Sequence, residues 1–177
     1  MAKGRAPGLL RGNFSFMHFV GYDEEAWGKE RLAAKKLLKK NDPAPIILSD
    51  IDSQCIEASK KNAITAGVDH LLEFHVCDFA ETPMPTSGSG DVILHGEYGK
   101  RLGDDDLEMD YKRIGDFLKT NCAGWDGDVF TSGKPLIAAI RLKVARRTPF
   151  MNADIDCRLL RYELYQGSRE KIVDSIS

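Results

Sequence analysis

The run Asp91-Val-Ile-Leu-His-Gly-Glu-Tyr-Gly-Lys-Arg-Leu-Gly103 constrains the fold more than any other stretch of the chain. Val92, Ile93 and Leu94 form a short apolar run with two β-branched members, the pattern of a strand buried on both faces. The run then breaks into a glycine-punctuated loop carrying His95, Glu97, Tyr98, Lys100 and Arg101. In open α/β sheets ligands bind just beyond the carboxyl ends of the strands, so chemistry is expected where this strand stops. An ordinary strand-to-helix connection would use the same glycines, and the stretch alone does not separate the two.

The flanking sequence supplies the rest of an α/β pattern. An irregular, glycine-rich segment over residues 1–22 carries Leu9, Leu10, Phe14, Phe16 and Phe19 and has to pack against something. Asp23 caps a helix expected to run to about Lys40, with Trp27, Ala34 and Leu38 as its apolar stripe. Pro43 and Pro45 stop it. Ile46-Ile-Leu48 reads as a buried strand ending in Ser49-Asp-Ile-Asp52, and Cys55, Ile56, Ser59, Ala63 and Ala66 then repeat on one helical face up to a C-capping Gly67. Leu71 to Val76 is the next strand. After the strand at Val92, Leu107, Tyr111, Ile114 and Leu118 mark a helix closing near Gly124; Asp128 to Thr131 is a strand and Pro135 to Leu142 a short helix. Lys143 to Phe150 and Cys157 to Tyr165 read as two last strands, a terminal hairpin on a mostly parallel sheet covered on both faces.

Bulk properties narrow the function classes. A chain of 177 residues fits one domain with a sizeable core. A formal charge of -2 argues against a uniformly basic nucleic-acid module, so any basic surface is local. The four cysteines (Cys55, Cys77, Cys122, Cys157) lack CxxC spacing, which fits neither a zinc cluster nor a disulfide framework and suits a reducing compartment. No stretch is long and apolar enough for a membrane span and the start carries no signal pattern, so a cytoplasmic location is expected. His75 and Cys77 alternate along a strand but have no third ligand nearby, and no metal is expected.

Successive strands end in groups suited to a nucleoside. Asp50 stands where a carboxylate accepts hydrogen bonds from a ribose diol in Rossmann-like folds, and Asp78, one strand on, could accept from an adenine amino group. Taken singly, Asp52 is better explained as a helix N-cap and Asp78 as a turn-forming aspartate. Their value lies in the series.

Taken together, Ala6-Pro-Gly8, Asn13-Phe-Ser-Phe16, Ser49-Asp-Ile-Asp52, Lys61-Asn-Ala-Ile-Thr-Ala-Gly-Val68, Cys77-Asp78, Tyr98-Gly-Lys-Arg-Leu-Gly103, Gly124-Trp125 and Asn152 to Cys157 resemble the RNA methylase family that often follows an RNA-binding THUMP domain. The resemblance covers nearly the whole chain. It implies a Rossmann-like class I methyltransferase fold, S-adenosylmethionine (SAM) as cofactor, and methylation of the exocyclic N2 of guanine in structured ribosomal or transfer RNA. By resemblance Asp50 and Ile51 bind the SAM ribose, Asp78 and Phe79 its adenine, and His95, Glu97 and Tyr98 the target base. Lys100, Arg101, Lys143, Arg146 and Arg147 are the candidates for RNA phosphate.

Two departures from the family pattern shape the expectation. The family loop reads Asn-Pro-Pro-Tyr, where the Asn amide and the next carbonyl accept hydrogen bonds from the amine being methylated. This chain has His95-Gly96-Glu97-Tyr98, and a neutral imidazole offers one acceptor, with Glu97 a partial substitute. The family's first strand and glycine-rich loop are also not found before Ala6-Pro-Gly8. The expected architecture is therefore a single, incomplete domain over residues 1–177 that lacks the central strand between Ile46 and Val92. An N-terminal portion or a second copy of the chain would complete it. The alternative to an enzyme is a methyltransferase-like module that binds or assembles without catalysis.

Overall fold

The computed structural model describes residues 3–6, 8–39, 41–96, 104–132 and 134–165. They form two compact units, Met1–Thr82 and Pro83–Ser177.

The first unit contains α1 (Glu24–Lys36), β1 (Ile46–Asp50), α2 (Ser53–Ala66) and β2 (Leu72–Val76). Asp23 caps α1 as expected, its Oδ1 accepting from the Ala26 amide at 2.9 Å. The helix is shorter than its pattern suggests, and Leu38 lies beyond it, exposed. The irregular N-terminal segment packs on the remaining stripe. Phe14 and Phe16 meet the Trp27 ring edge-on, with centroids 5.6 and 5.0 Å away. Farther along, Arg31 donates to the Leu9 carbonyl, and Arg5 to the carbonyl of Gly67. Gly67 closes α2 in the left-handed conformation at φ 62°, which a side chain would strain. Ile56 and Ala63 are the buried members of the α2 stripe; Cys55 and Ala66 are exposed. β1 and β2 pair in parallel, Ile46 beside Leu72 and Asp50 beside Val76.

The second unit contains β3 (Asp91–His95), α3 (Asp104–Asn121), β4 (Asp126–Ser132), α4 (Lys134–Ala139), β5 (Arg146–Asn152) and β6 (Ile155–Glu163), with strand order β3-β4-β6-β5. β3 and β4 are parallel, while β6 runs antiparallel to both its neighbours, so the terminal hairpin is present and extends the sheet. The core lies between one face of this sheet and α3, whose Leu107, Tyr111, Ile114, Phe117 and Leu118 are buried with Val129, Leu160 and Tyr162.

One expectation needs correction. β3 is not buried on both faces: Val92 and Leu94 turn inward, whereas Ile93, on the alternate face, is 73% exposed. α3 covers the first face only. The expected α/β order is present, with parallel and antiparallel pairing: among the described residues β1 pairs with β2 and β3 with β4 in parallel, and β6 is antiparallel to β4 and β5.

Candidate functional site

In the first unit, Asp50 and Asp78 stand at the same end of two paired parallel strands. The Cys77 amide donates to the Asp50 carbonyl at 3.1 Å, which continues the ladder one step and sets Asp78 just beyond it. Each carboxylate also organises its own turn. Asp50 Oδ1 accepts from the Asp52 amide at 2.8 Å, Asp52 Oδ1 from the Gln54 amide at 2.8 Å, and Asp78 Oδ1 from the Ala80 amide at 2.9 Å. Asp52 is thus the N-cap of α2. For Asp50 the turn uses one oxygen, and Oδ2 makes no hydrogen bond among the described residues. Ile51 is exposed immediately after it, and Phe79 follows Asp78 in a short 3-10 turn. Two carboxylates one strand apart, each followed by an apolar residue, can accept hydrogen bonds from hydroxyl or amino donors beside an apolar surface.

The exposed Cys55 thiol, in the first turn of α2, is held above its ordinary range chiefly by the negative charge of Asp50, then by desolvation and by Asp52. Iodoacetamide at pH 8 should therefore label Cys55 faster in Asp50→Asn than in the parent chain, by peptide mass mapping; equal rates would refute this electrostatic coupling.

In the second unit, β3 ends at His95. Its ring meets Phe130 of β4 edge-on, centroids 5.4 Å apart at 75°, because the two residues are register partners. Gly96 follows directly over Tyr111 of α3. A Cβ at Gly96 would lie 3.1 Å from the Tyr111 hydroxyl and ring, so this position takes a side chain only if the buried tyrosine gives way. Glu97, Tyr98, Lys100 and Arg101 lie outside the described residues. Arg146 and Arg147 are neighbours on β5, both exposed.

Residues 1–161 match the RMKL-like methyltransferase domain. The chain belongs to that family. It is 34% identical over 161 residues to slr0064 of Synechocystis sp., a protein named for RNA methyltransferase activity, covering 90% of this chain and 42% of that one. It is 34% identical over 175 residues to the ribosomal RNA large subunit methyltransferase K/L of Shewanella baltica, covering 97% of this chain and 24% of that one. The chain thus spans less than half the length of either relative. The fold is that of class I methyltransferases: the structure of SMU.472 complexed with SAH aligns with a TM-score of 0.82 at 18% identity, over 94% of this chain and 44% of that one.

Several features at the strand ends of this RMKL-like domain have no sequence motif. Phe130 is placed beside His95 only by the strand register, and Phe150 lies beyond Phe130. Tyr111 was visible only as one member of an apolar stripe. Among the described residues, no three His, Cys, Asp or Glu side chains gather closely enough to hold a metal ion, and no helix is long and apolar enough to cross a membrane.

Proposed function

We propose that this chain is the SAM-dependent domain of an RNA methyltransferase acting on the exocyclic N2 of guanine in ribosomal or transfer RNA, in the cytoplasm. The observation that carries the proposal is the placement of Asp50 and Asp78 at the ends of paired parallel strands, supported by the RNA methyltransferase names of the relatives. Asp50 holds the ribose hydroxyls and Asp78 the adenine amino group, with Ile51 and Phe79 packing beside them. When bound, SAM supplies an electrophilic methyl group. His95, at the end of β3, accepts a hydrogen bond from the target amine through its neutral imidazole, Glu97 provides a second acceptor, and Tyr98 stacks on the base. Holding a weakly nucleophilic amine within near-attack distance of the methyl group is the main task. Arg146 and Arg147, together with Lys100 and Arg101, neutralise RNA phosphate.

A second reading, a methyltransferase-like module that binds RNA without transferring a methyl group, is favoured by the His95-Gly96 sequence in place of the family's Asn-Pro. Calorimetric titration with SAM, followed by radiolabelled methyl transfer to guanine-containing RNA, separates the two. Asp50→Ala should weaken SAM binding by roughly 10- to 100-fold, the cost of two hydrogen bonds to a charged acceptor. SAM binding that survives Asp50→Ala intact would overturn the cofactor assignment, and binding without transfer would establish the second reading.

A further inference from the structure

Three rings stand in one row along the end of the second unit's sheet where β3, β4 and β5 terminate. His95 meets Phe130 at 5.4 Å and 75°, and Phe130 meets Phe150 at 5.9 Å and 65°. The row crosses β6 because Phe130 is the partner of Leu159, and Phe150 that of Cys157, two positions away on the same face. One end of the row lies at the start of the 95–98 loop. At the other end Phe150 is 45% exposed and Met151 is 69% exposed.

We propose that Phe150 is a stacking platform for an unpaired nucleobase of the RNA, next in the strand to the base received at His95. The proposal deepens the RNA methyltransferase reading and rests on it for the second base only. Three observations select RNA as the occupant. The sequence leading into the platform, Arg141-Leu-Lys-Val-Ala-Arg-Arg-Thr-Pro-Phe150, contains four cations and no acidic residue, although the chain as a whole carries a charge of -2. Arg146 is on the same face of β5 as Phe150, four residues and therefore two side-chain steps along the strand, a separation suited to a phosphate beside a stacked base. Pro149 removes a backbone donor from this edge strand, which disfavours addition of a further strand from a protein partner and leaves the side chains as the binding elements. An exposed aromatic ring with a cationic approach recognises any base by its π face, so the platform positions the strand and leaves sequence choice to the loop.

The experiment uses the 177-residue chain and a short single-stranded RNA carrying 2-aminopurine, whose fluorescence falls on stacking. The parent chain should quench the probe on binding. Phe150→Leu, which keeps an apolar side chain but loses the π face, should bind roughly 5- to 100-fold more weakly with the quench lost. Phe150→Tyr should restore both, and circular dichroism should show all three chains equally folded. Equal affinity and quench in Phe150→Leu would overturn the proposal, as would failure of the parent chain to quench. So would concentration-dependent dimerisation in sedimentation that Phe150→Leu abolishes, because a second copy would then be the occupant of the row. A parallel SAM titration keeps the two levels apart: SAM binding without a quench removes the platform and leaves the methyltransferase reading, and a quench without SAM binding does the reverse.

Discussion

Gly115→Ala should lower the melting temperature of the chain by ~5–10 °C, an effect of the opposite sign to that of Gly28→Ala. In a helix interior alanine is ordinarily favoured over glycine by about 1 kcal/mol. Gly28, in the middle of α1, has nothing within 4 Å of where a Cβ would stand, so Gly28→Ala should gain some of that amount. Gly115 is buried in α3 against the end of α4. A Cβ there would overlap the Ile140 carbonyl oxygen and lie 2.9 Å from its carbonyl carbon and 3.1 Å from its Cα. All three atoms are backbone, so relief requires α4 to move as a body rather than one side chain to turn. Overpacking of this kind costs about 2–3 kcal/mol net of the propensity gain, at roughly 2–4 °C per kcal/mol for a chain of this size. Calorimetry of the two variants checks it, and a Gly115→Ala protein that melts at or above the parent temperature would show that the helices do not pack this closely. Displacing α4 would also disturb β4, against which α4 packs, and with it Phe130, the middle ring of the aromatic row.

The helices and strands were legible because their signals are local. Asp23 and Asp52 are side-chain caps that announce a helix start, Gly67 announces an end, and Tyr111, Ile114 and Leu118 recur at the helical period. The positions of Asp50 and Asp78 were legible for a related reason: Asp50 ends β1 and Asp78 lies two residues beyond β2, so sequence adjacency stands in for position. Partners brought together by register are different. His95 and Phe130 are separated by a helix, and Phe150 reaches Phe130 only because β6 inserts between β4 and β5, an order that no local pattern encodes. The alternation of β3 was misread for a physical reason too. Three consecutive apolar residues suit burial on both faces, but Ile93 belongs to a face that no element of the second unit covers among the described residues.

Arg161→Leu should destabilise the chain strongly at pH 8 and much less at pH 5, because the arginine holds three carboxylates at the beginning of β3 and β4. Its Nη2 donates to Asp91 at 2.8 Å and to Asp126 at 2.5 Å, and Nη1 donates to Asp128 at 3.1 Å. Asp128 is the exacting partner, with only 8% of its side chain exposed. Burial raises its carboxyl above the ordinary range, outweighing the opposing pull of Arg161; Asp91 and Asp126 add to the rise and Arg146, beside Arg161 on β5, reduces it. A carboxyl raised in the folded state favours folding in its protonated form. That contribution is complete below the unfolded value of about 3.9 and is lost as pH rises through the folded value. At neutral pH the ionised Asp128 is therefore a cost that Arg161 offsets. With leucine at 161 the offset disappears, the three like charges repel, and the melting temperature should drop by ~10 °C at pH 8. Acidification should close the gap, and adding Asp128→Asn to the Arg161→Leu chain should recover much of the loss at pH 8. A deficit that is the same at pH 5 and pH 8, and is not recovered by Asp128→Asn, would show that Arg161 contributes packing rather than charge. The consequence extends to the other end of the strands: Arg161 is the register partner of Asp128, and the same registers carry Phe130 opposite His95, so the cluster that fixes where β3 and β4 begin also fixes what meets where they end.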